Sequence, residues 1–174
     1  MGAGCQVGVS ASDAGIEVAA TELYGDRTLG RHEVLRRLVG DAGDAVRVWE
    51  PRDWGAPYAS GSARVDGYVV CPCSMSTLGT AAAGAMANLV QRAISVALKE
   101  ERKLVLVPRE TPLSEIHLEN MLRLRRAGAT IVFAAPGFYG RAESVQDLVD
   151  FVVARVLDQL GLPNTLALRW GQDA

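Results

Sequence analysis

Several cationic side chains and one hydroxyl along the chain are chemically suited to holding a phosphate. Guanidinium and ammonium groups hold a phosphate through charge-assisted hydrogen bonds, and they stabilise the charge on a phosphate that departs. The chemically suitable set is Lys99, Arg109, Arg155 and Tyr139. Taken singly, each also suits a purely structural role: Lys99 as a helix-terminal lysine, Arg155 on a helix face and Tyr139 as a loop aromatic.

A carboxylate directly follows one of these cations. Glu110 comes after Arg109 in the sequence RETPL. A nearby phosphate favours the protonated form of a glutamate and a nearby arginine favours its charged form, so Glu110 suits proton transfer. The structural alternative is an ion pair between the two residues at the end of a strand.

A short turn of small residues precedes these charges along the chain. It consists of Ser74, Met75, Ser76 and Thr77, between a predicted strand at 66–71 and a predicted helix at 79–102. Where a parallel strand passes into a helix, hydroxyls and free backbone N–H groups form a cradle for a phosphate. The next predicted strand, 104–107, delivers Arg109 and Glu110 to the same edge of the sheet, where we expect the charges to gather.

Strands and helices alternate along the rest of the chain. Further strands are predicted at 5–10, 45–49 and 129–134, and further helices at 14–24, 29–39, 112–128 and 144–161. Expected helix caps are Ser12 or Asp13, Thr111 followed by Pro112, and Ser144 with Asp147. The pattern predicts a three-layer α/β/α sandwich with a Rossmann-like, mostly parallel sheet. One domain over 1–174 is expected, with a tail at 163–174.

Composition narrows the classes of function. The chain has 174 residues, 49% of them hydrophobic, which is enough for one domain with a substantial core. A net charge of -2 gives no general reason to bind nucleic acid, and no apolar run approaches the ~20 residues of a membrane span. No secretory signal is visible and three cysteines cannot all pair, so a cytoplasmic location is expected. Cys71 and Cys73 lack the spacing of zinc or redox pairs and are expected to be small core residues.

Several linked motifs resemble those of the flavin prenyltransferase family, the UbiX type. They are PCSMSTL, NLVQRAISVALKEERKLVLVPRETPLSEIHLENMLRLRRAGA, PGFY and VARVLDQLGL. The resemblance covers Val65 to Leu162 almost without a gap and weakens before Val65. It implies a flavoprotein fold.

The N-terminal region departs from that family. Flavin prenyltransferases begin with a strand and a Gly-Ala-Ser-Gly-Ala loop that packs on the FMN phosphate, whereas VGVSASDAG stands here. Val9, Ser10 and Glu22 match the family's second strand and helix better. We therefore expect the chain to start near that second strand, with the first βα unit absent.

The resemblance implies a role for each motif position. Contacts to FMN are implied for Ser10, Ser74, Met75, Ser76, Thr77, Arg92 and Arg109. Binding of dimethylallyl phosphate is implied for Lys99, Tyr139 and Arg155, and catalysis for Glu110, Glu22 and Lys99.

The resemblance also implies the reaction. A dimethylallyl group passes from dimethylallyl phosphate to reduced FMN without a metal, phosphate leaves, and the flavin gains a fourth ring. The prenylated FMN then serves a UbiD-type decarboxylase, as in ubiquinone biosynthesis. The family forms dodecamers in which chains share the flavin site, and the many small residues between Thr80 and Leu98 favour close helix contacts between subunits.

Two other functions are compatible with the sequence. One is a related FMN-dependent decarboxylase of peptidyl cysteine or a pantothenate conjugate, although that group uses an Asn-containing substrate motif and an active-site His. The other is a truncated, catalytically silent homologue that retains the oligomer-forming helices.

Overall fold

The computed structural model describes residues 4–41, 43–138, 142–167 and 169. Five parallel strands lie in two sheets, with β1 beside β2 in one and the order β3-β4-β5 in the other. The strands are β1 Val7–Val9, β2 Val46–Val48, β3 Gly67–Cys73, β4 Lys103–Pro108 and β5 Thr130–Ile131. The helices are α1 Asp13–Tyr24, α2 Arg31–Val39, α3 Met75–Ala82, α4 Leu89–Lys99, α5 Glu115–Arg126 and α6 Val145–Leu160.

Strand β4 shows why helices cover both faces of the larger sheet. Successive side chains of a strand point to opposite faces. Leu104 and Leu106 pack in the core formed with α3, α4 and α5, whereas Val105 and Val107 pack against α6. The predicted three-layer α/β/α arrangement with parallel strands is therefore confirmed.

The N-terminal unit has a small core of its own. Helices α1 and α2 bury Ile16, Ala20, Val34 and Leu35 against each other. Helix α1 begins at the predicted cap, Ser12, whose hydroxyl accepts a hydrogen bond from the backbone N–H of Gly15.

One predicted helix is wrong. The segment 79–102 was expected to form a single helix, but α3 ends at Ala82 and α4 begins at Leu89. Between them Gly84 has a φ of +74°, which residues with a side chain rarely adopt, and Asn88 caps α4 by accepting from the N–H of Gln91. The helix also begins earlier than predicted, because Ser74 is already an N-cap.

Two element boundaries differ from the predictions for local reasons. Strand β3 continues through Pro72 to Cys73, with an irregular register between Val70 and Cys73 where proline lacks an N–H to donate. Helix α5 starts after Ser114 rather than Thr111, because Ser114 and His117 form a reciprocal capping box.

The last helix follows its prediction closely. Ser144 and Asp147 form the expected capping box, and Gly161 ends α6 with a φ of +78°. Hydrogen bonds from the backbone N–H groups of Glu143 and Ser144 and from the Ser144 cap lower the pKa of Asp147. Among the described helices, none is long and apolar enough to cross a membrane.

Candidate active site

The carboxyl ends of β3 and β4 place the predicted phosphate cradle beside Arg109. Cys73 pairs with Pro108 in the register of these strands, so the residues that follow them, Ser74 and Arg109, leave the sheet side by side. Ser74 is exposed and caps α3: its Oγ accepts from the N–H of Thr77 at 3.1 Å and donates to the Thr77 hydroxyl at 3.1 Å. The first turn of a helix has backbone N–H groups without intrahelical partners, which is the arrangement that binds anions.

This helix start corrects the predicted geometry of the cradle. Met75, Ser76 and Thr77 form the first turn of α3 rather than a separate turn before it. The positive end of the helix dipole therefore adds to the hydroxyls at the same edge. Both contributions favour an anion beside Arg109.

Arg109 makes an ion pair with a glutamate from the N-terminal unit. Its Nη2 lies 3.2 Å from Oε1 of Glu22 on α1. More than half of each side chain is exposed, so the pair adds little to stability. The contact brings together two predicted site residues that are 87 positions apart in sequence.

Glu110 is the second carboxylate at this edge. It is exposed, directly after Arg109, and its Oε1 accepts a hydrogen bond from the N–H of Thr111 at 3.1 Å. One carboxylate oxygen is therefore oriented by the backbone. Glu22 contacts the guanidinium of Arg109 and Glu110 is the next residue along the chain, so two carboxylates near this cation could transfer a proton next to a bound anion.

Two buried polar atoms mark the carboxyl edge of the smaller sheet. Ser10 follows β1 and Trp49 follows β2, and the two strand ends are joined by a hydrogen bond from the N–H of Trp49 to the carbonyl of Val9 at 2.8 Å. In the described part of the chain, Ser10 Oγ and Trp49 Nε1 are buried without a hydrogen-bond partner. Such atoms are costly unless a ligand or water pairs with them. Ser10 is one of the predicted site residues, whereas only its place at a strand end could have pointed to Trp49.

The structure does not bring Lys99 to this edge, contrary to the expectation. Lys99 ends α4, on the side of the sheet where β4 begins, whereas Arg109 follows the end of β4. Six strand residues separate the two sides by about 20 Å. Lys99 forms an ion pair with Glu100, which lowers the pKa of that carboxyl.

Arg155 lies on α6, five residues before the end of that helix at Leu160. The end of the helix is held by a hydrogen bond from Lys103 Nζ to the carbonyl of Leu160 at 2.6 Å. Arg155 borders a cavity of about 330 Å³ formed by β5, the residues after it and α6. Lys99 borders another cavity, of about 360 Å³, lined largely by small side chains.

Two further predicted site residues are Arg92 and Tyr139. Arg92 is half-buried and its Nε donates to the carbonyl of Ala59 at 2.9 Å, so part of its guanidinium holds the loop before β3. Tyr139 lies outside the described residues.

At the end of β3, Cys73 is buried as predicted, whereas Cys71 is exposed rather than part of the core. Burial, reinforced by the neighbouring Cys71, raises the pKa of Cys73 to about 12, and desolvation of its thiol also raises the pKa of Cys71. A thiol must lose its proton to act as a nucleophile or a metal ligand. Neither thiol is therefore poised for such a role.

Comparison with known proteins identifies the family. The profile of the Flavoprotein family matches residues 1–157. A flavin prenyltransferase UbiX from Pseudomonas aeruginosa is 56% identical over 79% of this chain and 66% of its own length. Another, from Alkalihalophilus pseudofirmus, is 48% identical over 92% of this chain and 80% of its own length. The chain belongs to the UbiX-type flavin prenyltransferase family.

Solved structures agree with this assignment of the UbiX-type chain. AnUbiX (PadA1), in complex with FMN and dimethylallyl pyrophosphate, is 41% identical and has a TM-score of 0.82 over 97% of this chain and 84% of its own. A dodecameric FMN-dependent UbiX-like decarboxylase from Escherichia coli O157:H7 is 45% identical, with a TM-score of 0.79 over 94% of this chain and 82% of its own.

The residues at the carboxyl edges of this UbiX-type chain fit FMN. A phosphate matches the N-terminus of α3 and the guanidinium of Arg109, both of which favour an anion. The unpaired Ser10 hydroxyl and Trp49 indole can hydrogen-bond to the polar atoms of such a ligand. Among the described residues no group of acidic, His or Cys side chains is arranged to hold a metal ion.

Proposed function

We propose that this chain is a flavin prenyltransferase that transfers a dimethylallyl group from dimethylallyl phosphate to reduced FMN. The observation that carries this proposal is the carboxyl edge of the larger sheet, where the start of α3 at Ser74 meets Arg109, Glu110 and Glu22. An anion-binding helix end and two carboxylates are what phosphate departure and proton transfer require. The prenylated FMN would serve a UbiD-type decarboxylase, and the reaction would take place in the cytoplasm.

Each residue at this edge has a separate task in the proposed reaction. Reduced FMN supplies the nucleophile. Ser74 and the first turn of α3 hold the flavin phosphate, with Ser10 as a further hydrogen-bonding partner. Arg109 binds an anionic oxygen, and its ion pair with Glu22 fixes the direction of the guanidinium. Glu110 gives a proton to the departing phosphate or takes one from the flavin ring.

Lys99, on the side of the sheet where β4 begins, would need a second copy of the chain to reach such a site. Lys99 lies about 20 Å from Arg109 along β4, too far to touch the same phosphate. If Lys99 binds dimethylallyl phosphate, it does so at the edge of a neighbouring subunit. The dodecameric UbiX-like relative supports an assembly in which such sharing is possible.

We expect the purified protein to form an assembly of many chains. Apolar side chains are exposed on α5, at Ile116, Leu118 and Leu122, and on α6, at Val145 and Val149. Exposed apolar surface of this extent is typical of surfaces that bind another chain. Light scattering at micromolar concentration should give a particle several times larger than one chain, whereas a monomer would exclude a shared site.

We expect the protein to convert FMN to a heavier flavin. Anaerobic incubation with reduced FMN and dimethylallyl phosphate should add one dimethylallyl group to the flavin, as measured by mass spectrometry of the released product. Dimethylallyl pyrophosphate, which is bound by the solved relative, should be compared in parallel. If no flavin gains mass with either substrate, the assignment as a prenyltransferase fails for this chain.

The two other functions predict different results in the same experiment. A silent homologue would bind neither FMN nor the allylic phosphate productively. A decarboxylase would release carbon dioxide from a carboxylic acid substrate in the presence of FMN. This activity should be measured because the E. coli O157:H7 relative is described as an FMN-dependent decarboxylase.

A further inference from the structure

Asp158 is the centre of a polar cluster on the last turns of α6. Its Oδ2 accepts from Nη1 of Arg155 at 3.0 Å, and its Oδ1 accepts from Nη2 of Arg169 at 2.9 Å and from Nδ2 of Asn164 at 3.1 Å. The Asp158 side chain is 19% exposed, against 55% for Arg155 and 42% for Arg169. The carboxylate is therefore the shielded member of the cluster and the two guanidinium groups face outward.

The segment after α6 is folded back by the same side chains. Asn164 also donates to the carbonyl of Leu162 at 3.4 Å, and Arg169 donates to the carbonyl of Asn164 at 3.4 Å. Asn164 and Arg169 thus dock on the helix through Asp158. Hydrogen bonds from Arg169 first, then from Asn164, together with the charge of Arg155, lower the pKa of Asp158. Asp158 stays charged at neutral pH.

The contact with Asp158 leaves Arg155 able to bind an anion. A guanidinium carries five N–H donors in a rigid plane, and the hydrogen bond to Asp158 uses one of them. Fixing one edge of this plane sets the direction of the others. Two guanidinium groups around one carboxylate also leave an excess positive charge beside the cavity that Arg155 borders.

We propose that Asp158 is the positioning residue for Arg155, and that Asn164 and Arg169, which follow α6, hold Asp158 in place. The proposal rests on the proposed function, in which Arg155 binds the allylic phosphate. Docking of the C-terminal segment and affinity for the phosphate are then coupled through one carboxylate. Both guanidinium partners of Asp158 are about half exposed, and such pairs add little to stability, so the effect should appear in substrate binding rather than in thermal unfolding.

Asp158→Asn tests the positioning of Arg155. The amide keeps the size of the side chain but loses the charge that orients the guanidinium. We expect the KM for dimethylallyl phosphate to rise about tenfold, with kcat and FMN affinity within about twofold of the parent. Asp150→Asn is the matched control, because Asp150 lies on the same helix and accepts from the neutral amide of Gln146. It should leave the KM unchanged.

The coupling to the C-terminal segment needs its own variants. Arg169→Gln should reproduce part of the rise in KM. Arg169→Lys keeps the charge, so its KM should lie close to that of the parent. In an Arg155→Ala background, Asp158→Asn should add no further rise, since the group it positions is gone. A parent-like KM in Asp158→Asn, or a full additional rise in the Arg155→Ala background, would overturn the proposal.

Calorimetric titration with inorganic phosphate separates this proposal from the proposed function. If the parent makes no prenylated flavin yet binds phosphate, and Asp158→Asn weakens that binding as Arg155→Ala does, the proposed function fails and the positioning role stands. If the parent prenylates FMN but Asp158→Asn changes neither phosphate binding nor KM, the positioning role is wrong and the proposed function stands. A parent that neither prenylates FMN nor binds phosphate overturns both.

Discussion

Glu110→Gln should lower the turnover of reduced FMN and dimethylallyl phosphate by ~10²- to 10⁴-fold, the range that positioned acid–base groups typically contribute. Glutamine keeps the size of the side chain and can still accept from the N–H of Thr111, but it cannot carry a proton. FMN affinity should change little, because in the proposed site the flavin phosphate is held by the start of α3 and by Arg109. Stopped-flow absorbance under anaerobic conditions, with mass spectrometry of the flavin, separates binding from chemistry.

The same substitution elsewhere provides the control for Glu110. Glu119 is exposed on α5, and Glu119→Gln should turn over like the parent. If Glu110→Gln also turns over like the parent, Glu110 carries no proton in the reaction. If Glu110→Gln loses FMN affinity as strongly as turnover, its role is in binding and the proton belongs to another group such as Glu22.

The parts of the fold that could be predicted are those determined by short-range sequence. Strand β4 is a continuous apolar run, and α6 carries both a capping pair at Ser144 and Asp147 and a terminal Gly161. The break between α3 and α4 could not be read in the same way, because residues 83–88 include Ala and Met, which favour helix. Gly84 and Asn88 were the available signals, and each is tolerated inside helices often enough to be overlooked.

The sequence predicts which site residues lie close together where those residues follow adjacent strands, and less well elsewhere. Ser74 and Arg109 follow paired strands, so parallel topology alone places them together. The contact between Glu22 and Arg109 depends on how the N-terminal unit packs, and family resemblance rather than spacing pointed to Glu22. Lys99 lies on the other side of the sheet because it ends α4, before β4 begins, and in the proposed function it would act in a neighbouring chain, which a single sequence does not show.

Arg109→Ala should weaken FMN binding by ~10- to 100-fold, because a hydrogen bond to a charged group is typically worth ~1.5 to 3 kcal/mol. The substitution also frees Glu22, whose negative charge then lies uncompensated near the phosphate. Quenching of FMN fluorescence on titration measures the affinity directly. The protein should remain folded, since Arg109 is largely exposed and its ion pair adds little to stability.

Three further variants separate the causes of weakened FMN binding. Arg109→Lys keeps the charge and loses the planar fork, so it should recover part of the affinity. Glu22→Gln removes the partner but leaves the guanidinium, and its effect should be clearly smaller than that of Arg109→Ala. Arg125→Ala, in the last turn of α5, controls for loss of a surface cation and should bind FMN like the parent. An unchanged FMN affinity in Arg109→Ala would place the flavin phosphate away from the end of β4. If Glu22→Gln lost as much FMN affinity as Arg109→Ala, the ion pair rather than the cation itself would be the binding element.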